Sequence, residues 1–520
     1  MTAGSPACWA LCFVAFFAMI AAWSLALPVN GTYDEKQHIV RAYAVATGQL
    51  TPVGRAPDAL GRPTEAYRAP RSLLPVGASV DCTWWEPPKS AGCQRWTDDR
   101  TPTLLPTVAA RYSPVYYAAV GAPLALRPDR TGILAARLVS ALLAASVLAG
   151  ALWLALRSGR RLLAAAVVLT ATPTALDLAS AVNPNGLEIA AGILVATACA
   201  ALLAGRSGAG DGAATAGGGD LDRAAIRLAG AGALVLLTVR QLGPVLLALL
   251  VGTFVVLAGR DRIAALLRRR DTRRVVGGVA AAGTAYAMAW PLVAGVAAPM
   301  EPYRLTPMTR SEQLTYLVTH RLPFCLKQMV AQFGYGETQV SPVLVVAWYL
   351  LLALLVCGAL RYAGGRARLA VAGLGVACVG LLVAMDLHYV SRYGWFSQGR
   401  YALPAAVGVV LLAVAAGGGE DRLAARGRLT GVVVAVTGVT VPLQGYALAA
   451  VMTRYQVGFG AALDPLGGDW RPAVGPVLPL AALLVGGVLL VCLVAARTAG
   501  AIREPDGPTA PRVETCTRSW

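Results

Sequence analysis

Charge is scarce in this chain: Asp, Glu, Lys and Arg make up 14% of its 520 residues, against about 25% in an ordinary soluble protein. A soluble fold is excluded with it, because 57% of the residues are hydrophobic, more than a water-soluble core can hide. Paired metal-binding cysteines are lacking too: there are ten cysteines and no C-x-x-C spacing, so nothing points to structural zinc. No internal repeat is visible, which counts against transporters built from repeated halves. The basic clusters have no interleaved aromatics and no folded basic domain around them. The net charge of +18 is therefore not aimed at nucleic acid.

What the chain has instead is apolar runs of about 16–25 residues, the length that crosses a hydrocarbon slab of roughly 30 Å at 1.5 Å per residue. The first, 8–27, is too long and too weakly basic at its start for a typical cleaved signal, and is read as a retained helix. Further runs lie at 131–156, 162–181, 185–204, 225–240, 243–259, 275–297, 341–360, 369–386, 402–417, 429–450 and 476–496. The expectation is an all-α integral membrane protein of about 12 transmembrane helices (11–13). Its parts are a first helix at 1–27, a large loop subdomain at 28–130, a polytopic bundle at 131–496 and a tail at 497–520. Two places leave the count open. Pro114–Leu126 is short enough for a re-entrant or interfacial helix, and the pair 225–240 and 243–259 turns at Arg240 and Pro244.

Arginine clusters fix the expected orientation. Placing the N-terminus in the cytoplasm puts every short arginine-rich connection there, including Arg157 to Arg161 and Arg260 to Arg274, as the positive-inside rule asks. The loop at 28–130 then lies outside the cytoplasm, both termini lie inside, and Cys82 and Cys93 flank a polar, Trp-containing stretch of that loop. They read either as a disulfide or as two free thiols. Most of the other cysteines sit in apolar runs, where Cys acts as a small hydrophobe.

On this topology the polar chemistry gathers on the outer side. Asp34, Glu35 and His38 follow helix one: adjacent carboxylates at a membrane boundary suit a general base or metal ligand, or Asp34 is a plain N-cap of the helical stretch through His38, Arg41 and Tyr43. Tyr112, Tyr116 and Tyr117 suit interfacial anchoring or substrate contact. Asp177, Asn183, Asn185 and Glu188 surround an external turn. A fourth cluster holds His320, Arg321, Lys327 and Glu337. A fifth holds Asp386, His388, Arg392 and Arg400, and Arg400 either forks onto a phosphate or snorkels to the interface.

In this order the clusters resemble a family of bacterial polytopic membrane proteins known as domain of unknown function 2142. The carrying elements are Asp34-Glu35-Lys36-Gln37-His38 with Arg41-Ala42-Tyr43, Tyr112-Ser113-Pro114-Val115-Tyr116-Tyr117, Ser180-Ala181-Val182-Asn183-Pro184-Asn185 with one extra residue, and Gln398-Gly399-Arg400-Tyr401. That family is similar to the GT-C glycosyltransferases, which take a sugar from a polyprenyl-phosphate donor at the outer face. The resemblance implies a GT-C-like fold and a base or metal-holding carboxylate at Asp34 or Glu35. Asn185 stands where relatives often carry Asp.

The expected function is therefore glycosyl transfer at the outer face of a bacterial plasma membrane, in cell-envelope glycan assembly. Asp34 and Glu35 are the catalytic candidates. His38, Arg41, Tyr116, Tyr117, Asn183, Glu188, His388, Arg392 and Arg400 are the candidates for binding. The partners would be membrane lipid, a polyprenyl-phosphate sugar and a glycan acceptor, and a divalent cation such as Mg or Mn is a candidate cofactor. A transporter or flippase of lipid-linked glycans and a non-catalytic membrane scaffold are the alternatives.

Overall fold

The computed structural model describes residues 4–204, 216–295 and 308–500; the tail expected at 497–520 lies mostly outside these. Helix α1 (Pro6–Ala26) starts where Ser5 accepts the Cys8 amide and Pro6 fills the first turn, a position that needs no amide donor. At 21 residues and 1.5 Å each it is about 32 Å long, enough to cross a bilayer core. A loop leads into α2 (Glu35–Ala46). Next comes an antiparallel sheet of β1 (Gly54–Pro57), β2 (Pro63–Pro70) and β3 (Pro102–Pro106) in that order. The Cys82–Cys93 disulfide, expected as one of two readings, closes the loop between β2 and β3.

Pro114–Leu126 forms the short helix α3, started by the Ser113 hydroxyl accepting the Val115 amide. It lies across α2 at close range: a Cβ on Gly121 would stand 2.2 Å from the Ala42 carbonyl oxygen, so no side chain fits there. The bundle follows: α4 (Arg130–Arg157), α5 (Arg161–Thr170), α6 (Pro173–Ser180), α7 (Pro184–Ala204), α8 (Ala216–Val239), α9 (Gly243–Arg268) and α10 (Arg270–Ala294). After these come α11 (Leu322–Val330), α12 (Pro342–Leu360), α13 (Gly365–Tyr393), α14 (Gly399–Ala416), α15 (Leu429–Gln456) and α16 (Val477–Gly500).

Among the described residues, ten helices are long and apolar enough to cross a membrane, or eleven if α5 and α6, bent by 62° at Thr172, count as one span. The upper count falls within the expected 11–13, one short of twelve. The difference is the run 225–240, which forms the C-terminal part of α8; Asp220, Asp222 and Arg223 in the preceding turn, with Arg227 inside the run, make the helix too polar overall. Helix α9 is broken at Gly259, whose φ of 80° lies in the left-handed region that glycine enters without steric cost. The break falls where sequence had ended that span.

Helix α7 is buried along its whole apolar length, with α4, α6, α8 and α14 around it. Small residues bring the backbones together: a Cβ on Gly192 would lie 2.0 Å from the Pro404 carbonyl oxygen of α14. By contrast α10, α12 and α13 turn large apolar side chains outward, among them Leu292, Val343 and Leu369. In water such a surface would be an aggregation hazard; in a bilayer it is the lipid-facing side of the bundle. The protein is a multi-pass membrane protein.

Candidate active site around Asp34 and Arg400

The connection from α1 to α2 contains two non-glycine residues with positive φ, Asn30 at 63° and Asp34 at 57°. Asn and Asp tolerate that conformation better than other side chains. Asn30 is locked by donating its amide to Asp81 and accepting the Lys36 amide, at 2.9 and 3.2 Å. Asp34 stands at the N-cap of α2, but its carboxylate caps nothing in that helix. It reaches across to the guanidinium of Arg400, 366 residues away in sequence, and the two are ion-paired.

Helix α14 delivers Arg400 through the Gln398-Gly399-Arg400-Tyr401 element. Gly399 presses on α11, where a Cβ would sit 2.0 Å from the Cys325 carbonyl oxygen, and its amide donates to Gln328 at 2.5 Å. The next residue is thereby turned inward. Arg400 is buried, its guanidinium is 4.8 Å from the Tyr33 ring and 5.4 Å from the Tyr401 ring, and among the described residues its Nε and Nη1 have no hydrogen-bond partner. The Asp34 side chain is 26% exposed, so one member of the pair is open to an incoming molecule.

A second, partly buried arginine stands beside it. Arg240, from the α8–α9 turn, pairs with Glu188 at 3.4 Å and lies 5.0 Å from the same Tyr401 ring and 5.7 Å from that of Tyr112. Glu188 also accepts the Asn185 amide at 3.0 Å, which an Asp at 185 would replace with a like charge. Asn183 donates to the Tyr33 carbonyl at 2.7 Å and accepts the Asn185 amide at 3.0 Å. The Asn183-Pro184-Asn185 turn thus holds both the backbone before Asp34 and the acid that partners Arg240. Burial raises the Asp34 carboxyl's pKa, but the Arg400 guanidinium, the largest opposing influence, holds the group below the usual carboxylate value.

Near Asp34, His38 shares a 2.7 Å hydrogen bond through Nδ1 with the Tyr117 hydroxyl. Burial, assisted by Arg240 and Arg400, drives its pKa from 6.5 down to about 3, so the ring is neutral at physiological pH. Unfolded, His38 would take up a proton near its ordinary value, so its contribution to stability is lost as pH falls from about 6.5 toward about 3, because the unfolded state binds the extra proton there. Thermal unfolding followed between pH 7 and 4 is expected to show the wild type losing stability faster than His38→Gln, by roughly 1 kcal/mol or more. Parallel curves would remove His38 as the cause.

The sequence reading paired Asp34 with Glu35 as catalytic carboxylates; the structure separates them. Glu35 is fully buried and both its oxygens are taken, by Arg137 at 2.6 Å each and by the Asn30 amide at 2.7 Å. Arg137 in turn donates to the Leu27 and Pro28 carbonyls at 2.8 and 2.7 Å. Glu35 therefore fastens the end of α1 to α4 and has no oxygen left to take a substrate proton. Arg41 is likewise consumed, by the Tyr112 carbonyl at 2.8 Å, the Leu50 carbonyl at 2.9 Å and the Tyr67 hydroxyl. Tyr116 bonds Ser140 at 2.9 Å inside the packing. These two hold the loop region together.

His388 and Arg392 were expected beside Arg400. Both lie exposed on α13, and neither bonds to the Asp34–Arg400 pair. The buried acid of that region is Asp386, which accepts the Phe396 and Ser397 amides at 2.9 and 2.7 Å and pairs with Arg321 at 3.4 Å, fixing the α13–α14 turn. Sequence missed Arg137 and Arg240 as site builders. For Arg137 a signal was present: a charge inside an apolar span is costly, and implies a buried partner. Among the described residues no three His, Cys, Asp or Glu side chains converge to hold a metal ion, and the side chain paired with Asp34 is an arginine. The donor set does not fit a divalent cation.

The family described as "Predicted membrane protein (DUF2142)" matches residues 16–409 of the chain. No curated protein matches. Among solved structures, ArnT from Cupriavidus metallidurans bound to undecaprenyl phosphate is 15% identical with a TM-score of 0.39, over 96% of this chain and 79% of that one. The same protein in the apo state gives 15% and 0.39, over 95% and 78%.

Proposed function

The chain belongs to the DUF2142 family, and from that premise we propose that it is a membrane glycosyltransferase drawing on a polyprenyl-phosphate-linked sugar. The observation that carries this reading is the ion pair of a partly exposed Asp34 with a buried Arg400 that still has two unpartnered donors. A phosphate arriving at Arg400 competes with Asp34 for the guanidinium, which binds phosphate oxygens through paired donors. As Arg400 turns to it, Asp34 loses the partner that depresses its pKa and becomes a stronger base.

In the transfer step the acceptor hydroxyl gives its proton to Asp34 while its oxygen attacks the anomeric carbon from the face opposite the phosphate. The bond from that carbon to the phosphate oxygen breaks, and its electron pair leaves with the phosphate. Arg400, with Arg240 behind it, stabilises that charge as it develops. The product is inverted at the anomeric carbon, and Asp34 returns its proton to water. No step is routed through a metal.

In this reading the end of the bundle carrying Asp34 faces outward across a bacterial plasma membrane. Both termini and the arginine-rich connections are cytoplasmic, and the acceptor is a cell-envelope glycan. The test is transfer from a polyprenyl-phosphate sugar by the purified protein in vesicles. Arg400→Gln is expected to lower transfer about 100-fold or more, the scale of losing one group aimed at developing charge, whereas Arg392→Gln is expected to stay within about twofold of wild type. Equal losses in the two variants would sink the assignment.

A further inference from the structure

At the opposite end of the bundle, a cavity of about 540 Å³ opens between the start of α1, the end of α4 and the start of α8. Its walls include Trp9, Trp153, Arg157, Arg223, Arg227 and Leu228. The Arg157 guanidinium lies 5.1 Å from the Trp153 ring. Arg223 pairs with Asp220, the acid in the lining. Among the described residues Arg227 has no ion pair, and Arg157 none beyond its aromatic contact. Two positive charges are left without counter-charge around one opening.

The lining changes character with depth. Gly150 is seven residues before Arg157 on α4, which places it about 10 Å further along the helix axis. There a Cβ added to Gly150 would lie 3.7 Å from the Leu228 side chain, one residue on from Arg227, so the apolar contact begins just beneath that arginine. A cationic rim over an apolar floor, with two tryptophans at the level where indole rings favour the headgroup zone, matches an amphiphile and not a free anion.

We propose that this cavity is a binding site for an anionic phospholipid, its phosphate held between Arg157 and Arg227 and the upper part of an acyl chain lying over Gly150 toward Leu228. The site is independent of Asp34 and of any transfer activity. It takes a phosphodiester lipid by guanidinium bonding and chain contact together, and a zwitterionic lipid, whose own ammonium offsets the phosphate, less well.

The test is native mass spectrometry of the whole protein released from vesicles of equal phosphatidylglycerol and phosphatidylcholine. Wild type is expected to retain phosphatidylglycerol selectively, and Arg157→Gln with Arg227→Gln to reduce that retention about thirtyfold, at roughly one factor of five per basic residue at an anionic lipid surface. Because removing arginines also weakens the topology signal, a second variant leaves them in place. Gly150→Leu fills the floor and is expected to lower retention with the charges intact. Unchanged retention in either variant overturns the proposal. So does full displacement of the lipid by soluble glycerol phosphate, since a site for phosphate alone needs no chain.

Discussion

Replacing Asp34 with Asn is expected to reduce glycosyl transfer by about 100- to 10,000-fold, the range for removing a positioned general base, with the protein still folded. Asn is the right substitution because Asp34 has a φ of 57°, and Asn accepts that backbone with little strain while losing the charge. Ala would add a backbone cost and blur the result. The change also strips buried Arg400 of its counter-ion, so folding must be followed separately, by monodispersity and thermal unfolding. A competing phosphate should bind Asp34→Asn at least as tightly as wild type, because it no longer displaces a carboxylate. Full transfer activity in a well-folded Asp34→Asn protein would end the base assignment, and weaker phosphate binding would contradict the competition at Arg400.

The neighbouring carboxylate is expected to behave differently. Removing Arg137, as in Arg137→Met, leaves Glu35 buried without its bidentate partner and should cost about 3–5 kcal/mol of stability. The loss of activity would follow the loss of folded protein. Glu35→Gln combined with Arg137→Gln removes both charges and is expected to recover a large part of that stability, since no isolated buried charge remains. Thermal unfolding in detergent reads both effects. If the double variant were no more stable than Arg137→Met, the pair would not be the source of the penalty. A folded Glu35→Gln protein with intact thermal stability and no transfer activity would return Glu35 to the chemistry.

These two residues mark how far sequence carries. Asp34 and Glu35 are adjacent and chemically alike, and nothing local tells them apart. What separates them is that Asp34 is left-handed and points to α14, whereas Glu35 opens α2 and faces α4. The spans were legible because a run of apolar residues is a one-dimensional signal, and the one that fell short, at 225–240, sits behind two acids and an arginine and holds Arg227 itself. Arg400 was legible from its mouth-of-span position. His388 and Arg392 were grouped with it by nearness in sequence, but α13 turns them away and presents Asp386 inward instead. Arg41 and Tyr116 looked like binding residues because polar groups in an apolar chain draw notice. The carbonyl and hydroxyl partners that occupy them come from other elements, which no single stretch of sequence displays.

The contact between α7 and α14 at Gly192 bears on the path that the proposed lipid-linked donor would take to Asp34. Where a Cβ would already collide with the Pro404 carbonyl, the two backbones leave no seam wide enough for a hydrocarbon chain. On the proposed reading, a polyprenyl tail would not pass between α7 and α14 at that level and would reach Arg400 from another side of the bundle. Widening the contact by force, as Gly192→Leu would, does not make a doorway. It is expected to push α14 away and carry Arg400 out of line with the carboxylate it faces.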